Sequence, residues 1–139
     1  MVTGPAVNAM LLLSGTYVGR LGAVIIGMLT PLIAFVRGIL APPLAPMIPF
    51  IMLGNAILVI AYVISRGKLG KGYAGSGIGL IIGAIAKFLV LSSAVRFIVS
   101  VPPPVAKAMQ IPQLYTAILG GVVAIIVEKV LDAALGQND

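Results

Sequence analysis

The chain has neither cysteine nor histidine among its 139 residues. Disulfides and thiolate zinc sites are therefore excluded, as are haem ligation by histidine and every catalytic arrangement that depends on an imidazole. Acidic side chains are nearly absent as well, because Glu128, Asp132 and Asp139 are the complete set. All three lie close to the C-terminus, so the earlier part of the chain has no carboxylate of its own to balance a buried cation. We expect no metal site and no cofactor.

The composition is that of a membrane protein. Charged residues make up 9% of the chain and hydrophobic residues 60%, whereas about a quarter of a soluble domain is charged. The length allows a single domain over residues 1–139. The net charge of +6 does not predict nucleic-acid binding, because the basic residues are scattered and form no face studded with aromatics. The sequence thus predicts an all-α integral membrane protein whose surroundings are the lipid bilayer.

Five apolar segments follow one another along the chain. They cover residues 3–18, 21–36, 49–65, 72–100 and 112–134, and a helix needs about 20 residues to cross a bilayer. Pro31 is expected to kink the second segment, with Thr30 helping to satisfy the carbonyl that proline frees. A proline-rich loop over residues 38–48 separates the second and third segments. The pattern predicts a bundle of five transmembrane helices.

The basic residues predict the orientation of this bundle. We call the side of Arg20 side A and the opposite side B. Successive crossings give side A Arg20, Arg66, Lys68, Lys71 and Lys129, and give side B Arg37, Arg96 and Lys107. The excess predicts that side A and the C-terminus are cytoplasmic in a multi-pass protein of the plasma membrane. Tyr17, Tyr62 and Tyr73 also fall at the side A ends, where interfacial tyrosines are expected.

This orientation places Met1 outside the cell. The first ten residues, MVTGPAVNAM, contain no charged n-region and no cleavage site of a signal peptide. We therefore expect one further helix ahead of Met1, which would give six helices with both ends in the cytoplasm.

A lysine, Lys87, lies inside the fourth apolar segment. It is about 20 Å along a helix from Ala74, and Asn55 lies about 9 Å in from side B at the same rise per residue. Ionisable residues within a membrane usually face the bundle interior or a water-filled cavity. The remaining polar residues of the side B half are Asn8, Arg37 and Gln113. These five residues predict a pocket open to side B, in which Lys87 binds the anionic part of a small-molecule substrate.

Structural interpretations of the same residues stay open. Lys87 could snorkel or hydrogen-bond to a helix end, and Asn55 could make an interhelical hydrogen bond. Arg37 could simply close a helix at the rim, and Asn8 and Gln113 could cap helices or lie in water. Gly75, Gly79 and Gly83 recur every four residues, a spacing that lets another helix backbone approach closely. We expect helix packing from these glycines.

No nucleotide-binding motif is expected to function in this chain. The run GKGYAG at residues 70–75 matches a dinucleotide fingerprint only formally, because no strand precedes it, and RGKLGKG lacks the spacing of a P-loop. Energy for any transport must therefore come from a partner or a gradient.

Three motifs resemble a known family when taken in order. They are TGPAVNA at residues 3–9, PPLAPMIPFIMLGNA at 42–56 and GLIIGAIAKF at 79–88. Together they resemble the substrate-binding S component of energy-coupling-factor (ECF) transporters. The resemblance implies a six-helix protein that captures a vitamin or micronutrient and delivers it with a transmembrane coupling subunit and two ATPase subunits. The family's first helix, with its alanines four apart, has no counterpart here.

Two other classes of function stay open. The chain could be a stand-alone carrier or channel, although ion coupling usually requires intramembrane acidic residues. It could also be a scaffold subunit of a membrane complex. An enzyme is not expected, because Ser92 and Ser93 lie five and six residues from Lys87 and would not face it on one helix.

Overall fold

The structure is a computed structural model that describes residues 2–136, and every regular element in that range is helical. The prediction of an all-α fold is therefore confirmed. The elements are α1 (Thr3–Tyr17), α2 (Arg20–Val36), a 3₁₀ segment (Pro42–Met47), α3 (Ile48–Leu69), α4 (Tyr73–Ser93) with a π-helical turn (Ala94–Ile98), α5 (Pro103–Ala108) and α6 (Ile111–Ala134).

Within residues 2–136, three helical stretches are long and apolar enough to cross a membrane. They are Pro42–Leu69, Tyr73–Ile98 and Pro103–Ala134. Helix α2 is apolar but has only 17 residues, and α1 has 15. The structure thus agrees with a membrane protein, and a crossing by all five long helices stays a prediction.

Proline and glycine set the ends of the helices. Proline lies at the first or second position of α3, α5 and α6, where its missing N–H would have no intrahelical partner anyway. Gly70 follows α3 with a φ of +95°, a conformation that a side chain disfavours. The predicted loop at 38–48 contains a 3₁₀ segment. The prolines at 102–104 come after α4 and its π-helical turn, and α5, which the sequence did not predict, begins at Pro103.

Helix α3 is central to the packing. It contacts α1, α2 and α4, while α6 contacts α1 and α4. The innermost side chains include Leu12, Leu58, Tyr62 and Leu80. The expectation that Tyr62 is interfacial is wrong, because its side chain is fully buried. Its hydroxyl group instead belongs to a buried polar cluster described below.

A second apolar cluster lies at the side B end. Met47, Leu91, Ala94 and Met109 are buried together, and Leu44, Val99 and Val105 pack against them. These side chains come from the 3₁₀ segment, the end of α4 and α5. We call this cluster the side B cap, because it covers the end of the helix bundle at which the predicted pocket of Lys87 would open.

The glycines at 75, 79 and 83 lie against α3. A Cβ atom at Gly79 would be 2.9 Å from the Cα atom of Tyr62, and one at Gly83 would be 3.0 Å from the carbonyl oxygen of Leu58. A Cβ at Gly77, on the same helix, would meet nothing within 4 Å. The absence of side chains at Gly79 and Gly83 thus permits the close approach of α3 and α4.

Gly79→Ala should therefore destabilise the protein by about 1–3 kcal/mol, because the new methyl group overpacks against the α3 backbone. Gly77→Ala is the matched control and should stabilise it by about 0.5–1 kcal/mol, because alanine favours the helix. Equilibrium unfolding in mixed micelles measures both effects. Equal effects of the two substitutions would show that the α3–α4 approach does not depend on Gly79.

Candidate functional site

Lys87 lies at the centre of a buried polar cluster. Its Nζ donates hydrogen bonds of 2.8 Å to Oδ1 of Asn8 and of 2.8 Å to Oδ1 of Asn55. All three side chains are at most 3% exposed. We call these residues the Lys87 triad. They come from α4, α1 and α3, so the lysine joins three helices through two neutral amide oxygens.

Asn55 has a second role, which follows from Pro31 in α2. Proline has no N–H, so the carbonyl of Gly27, four residues earlier, lacks its intrahelical donor. Nδ2 of Asn55 donates to this Gly27 oxygen at 2.9 Å. The predicted helper, Thr30, instead donates to the Ile26 carbonyl at 2.6 Å. Because Nδ2 is committed to Gly27, Oδ1 of Asn55 must face Lys87.

Two glycines make room for the triad. A Cβ atom at Gly54 would lie 3.0 Å from Cγ of Lys87, and one at Gly120 would lie 2.7 Å from Cβ of Asn8. Gly54 thus lets the aliphatic stem of the lysine run along α3, and Gly120 lets α1 bring Asn8 against α6. The triad depends on small residues of two neighbouring helices as well as on its own side chains.

The triad is enclosed between two apolar layers. Leu91 of the side B cap lies one helical turn beyond Lys87 along α4. Towards side A, Leu12, Leu58 and Leu80 form the central core. Lys87 is 3% exposed, so solvent reaches it from neither end of the helix bundle in this structure. A ligand could reach it from side B only if the cap opened.

The other predicted site residues lie elsewhere. Arg37 is exposed just after α2, and Gln113 is partly buried in the first turn of α6. Neither makes a hydrogen bond to Lys87 among those found for residues 2–136. Arg96, a basic residue of side B, donates through Nε and Nη2 to Oε1 of Gln110. Of the five predicted site residues, Lys87, Asn55 and Asn8 are therefore in contact, and Arg37 and Gln113 lie outside this cluster.

No carboxylate balances the charge of Lys87 within the described range. Glu128 forms a salt bridge with Arg66, and Asp132 accepts a hydrogen bond from the Tyr17 hydroxyl at 3.4 Å. Both acidic residues belong to the side A half of α6. The lysine is thus solvated by amide dipoles alone, which is an expensive state for a charge away from water.

A second buried polar cluster lies near side A and was missed by the sequence argument. Nη1 of Arg66 donates to Oε2 of Glu128, to the Tyr62 hydroxyl at 3.2 Å and to Oγ1 of Thr16 at 3.3 Å. Arg66 is 8% exposed and Glu128 is 2% exposed. The available signal was an arginine, Arg66, and a glutamate, Glu128, at the side A ends of two apolar segments, because buried charges are usually paired.

A cavity of about 300 Å³ lies beside this ion pair. Thr16, Tyr17 and Val63 contribute to its walls, and Arg66 and Glu128 also line it. The other charged lining residues are Lys71, which is exposed, and Lys129 and Asp132, which are partly buried. The cavity therefore lies between α1, α3 and α6 at the opposite end of the bundle from the side B cap.

Comparisons of the chain with family models, with characterised proteins and with solved structures gave no match. The resemblance to S components therefore rests on the three sequence motifs alone.

Proposed function

We propose that this chain is a membrane-embedded substrate-binding subunit of an ECF-type importer. In this proposal it crosses the membrane five times and captures a small anionic vitamin or micronutrient in a pocket that opens to side B. The observation that carries the proposal is the buried ammonium group of Lys87, which has two amide oxygens but no carboxylate around it. An anion from outside would supply the missing countercharge.

The triad suggests which contact the substrate would replace. Asn55 is held in place by the Gly27 carbonyl, so its oxygen stays on Lys87. An incoming anion would therefore take the third N–H of Nζ, and if it displaced a contact, that contact would be the one with Asn8. A charge-assisted hydrogen bond to a carboxylate or phosphate is shorter and stronger than one to a neutral amide. Entry from side B requires the 3₁₀ segment and α5 to separate from Leu91.

The test is the identity of the small molecule that copurifies with the protein. Mass spectrometry of the denatured, detergent-purified sample should detect a single class of anionic compound. A sample with no such compound, also after incubation with mixed anionic vitamins, would contradict the proposal. Energy coupling is tested separately, by whether the chain copurifies with a transmembrane coupling subunit and two ATPase subunits.

The orientation in this proposal gives a direct prediction. The chain has no cysteine, so a single cysteine at the exposed position Lys68, in the last turn of α3, can be labelled specifically. We expect an impermeant maleimide added to intact cells to leave Lys68→Cys unmodified, because side A faces the cytoplasm. Lys107→Cys, on the side B helix α5, should react. The reverse pattern would invert the proposed topology.

A scaffold subunit without a ligand is the second candidate. It is favoured by the fact that the described partners of Lys87 are internal, so the triad already joins α1, α3 and α4. A stand-alone carrier would need no ATPase partner. Copurification of an anion argues against the scaffold, and copurification of the coupling subunit argues against the stand-alone carrier.

A further inference from the structure

The cavity at side A is separate from the Lys87 triad and has a different electrostatic character. Along α3, Arg66 is 11 residues from Asn55, which corresponds to about 16 Å. The apolar core around Leu58 lies between the two polar clusters. The side A cavity and the Lys87 triad are therefore separate places in the helix bundle.

The charges around this cavity leave a positive excess. Arg66 and Glu128 neutralise each other at the buried part of the lining. The rest of the lining carries Lys71, Lys129 and one carboxylate, Asp132. Lys68 and Arg20 are exposed at the same end of the bundle. A ligand in this cavity would thus meet more positive than negative charge.

Lys129 is held in a fixed position at this cavity. Its Nζ donates to the carbonyl oxygen of Lys71 at 3.0 Å and lies 5.2 Å from the centre of the Tyr73 ring. An ammonium group has three N–H donors, so two remain after the bond to Lys71. A preorganised cation beside a cavity needs less ordering on binding than a mobile surface lysine.

We propose that the side A cavity binds the phosphate group of an anionic phospholipid. Lys71 and Lys129 contact the phosphate, and the Tyr17 and Thr16 side of the cavity contacts the remainder of the headgroup. The lipid is favoured over a free phosphate because the cavity lies where helices of a membrane protein end, and the exposed side chain of Val18 directly follows the lining residue Tyr17. Val18 thus offers an apolar contact for an acyl chain next to the cavity.

Binding of phosphatidylglycerol tests this proposal. Native mass spectrometry of the full chain in neutral detergent, at about 150 mM salt, gives half-saturating lipid concentrations. We expect phosphatidylglycerol to bind at least about tenfold more tightly than phosphatidylcholine with the same acyl chains. Lys71→Gln and Lys129→Gln should each weaken phosphatidylglycerol binding by about fivefold.

Two further variants separate a built site from general surface charge. Asp132→Asn removes the opposing carboxylate and should tighten binding by about twofold to fivefold. Lys68→Gln removes an equal charge outside the cavity lining and should change binding by less than about twofold, because water and salt screen it. Circular dichroism and the melting temperature confirm that each variant is folded.

Three results would overturn the proposal. The first is equal binding of phosphatidylglycerol and phosphatidylcholine, which would remove the role of charge. The second is a loss in Lys68→Gln as large as that in Lys129→Gln, which would show diffuse attraction without a site. The third is displacement of phosphatidylglycerol by inorganic phosphate at an equal concentration, which would exclude the lipid as the source of the phosphate.

Discussion

Lys87→Met should weaken binding of the copurifying anion by about tenfold to a hundredfold, because a hydrogen bond to a charged group contributes roughly 1.5–3 kcal/mol. Methionine preserves the length and apolar stem of the side chain, so the packing of Lys87 on Gly54 is largely retained. Binding is measured by titrating the anion identified by mass spectrometry into the purified variant and parent.

The stability of this variant follows from two opposing effects. Removing a buried charge relieves about 2.5–3.5 kcal/mol on membrane insertion scales. The oxygens of Asn8 and Asn55 then lose their donor, which costs about 1–3 kcal/mol for each. The net change in the free energy of unfolding should therefore lie between a gain of about 1.5 kcal/mol and a loss of about 3.5 kcal/mol. Unfolding is measured beside binding, so that a loss of affinity is read only from folded protein.

Asn8→Asp provides a complementary test with the lysine retained. The introduced carboxylate would stand where Oδ1 of Asn8 now lies, 2.8 Å from Nζ of Lys87. It would neutralise the charge of Lys87 and compete with the external anion for the Nζ group. We expect ligand binding to fall as sharply as in Lys87→Met, while stability is unchanged or increased.

Lys107→Met is the matched control for both variants. Lys107 is an exposed cation of the same side B end, and its replacement should leave anion binding within about twofold of the parent because exposed charges are screened. If Lys87→Met bound the anion as well as the parent, the triad would be a structural link between helices and the scaffold function would be favoured.

Glu128→Gln should cause the largest loss of stability, about 3–5 kcal/mol, because it leaves the buried guanidinium group of Arg66 without a countercharge. Glutamine has nearly the same size, so the effect is electrostatic. The lost acceptor also serves Thr16 and Tyr62, each of which donates to Oε2 of Glu128 at 3.4 Å. Unfolding by denaturant in mixed micelles measures the change.

The double variant Arg66→Gln/Glu128→Gln tests the electrostatic origin of this loss. It removes both charges and keeps amide groups for hydrogen bonding, so it should recover at least half of the stability lost in Glu128→Gln, since replacing a whole buried pair is often neutral. Asp132→Asn, one turn further along α6, should change stability by less than about 1 kcal/mol because its pair with Tyr17 is exposed. A double variant less stable than Glu128→Gln would contradict the argument.

Part of the Lys87 triad was predictable because depth in a membrane can be estimated from sequence. Counting residues from the segment ends placed Lys87 and Asn55 at similar depth, and the structure joins them. The same counting left Asn8 as a minor candidate and could not separate it from Arg37 and Gln113. The segments are apolar nearly all round, so their periodicity does not reveal which face each helix turns towards the others.

The Arg66 cluster was harder to predict for a different reason. A tyrosine or arginine near the end of an apolar segment is usually an interfacial anchor, and Tyr62 and Arg66 occupy such positions. Their burial depends on α6 bringing Glu128 to the same level, which is a property of tertiary packing. Helix α5 was missed because the prolines at 102–104 end one helix and begin another within three residues.

The hydrogen bond from Asn55 to the Gly27 carbonyl has a consequence for biosynthesis. The backbone of α2 is completed by a side chain of α3, so at Gly27 the helix is unfinished when it leaves the ribosome. An unpaired carbonyl is costly in hydrocarbon, and 28 residues separate the two partners. In the proposed five-span arrangement, α2 and α3 would therefore enter the bilayer as one hairpin rather than as successive single helices.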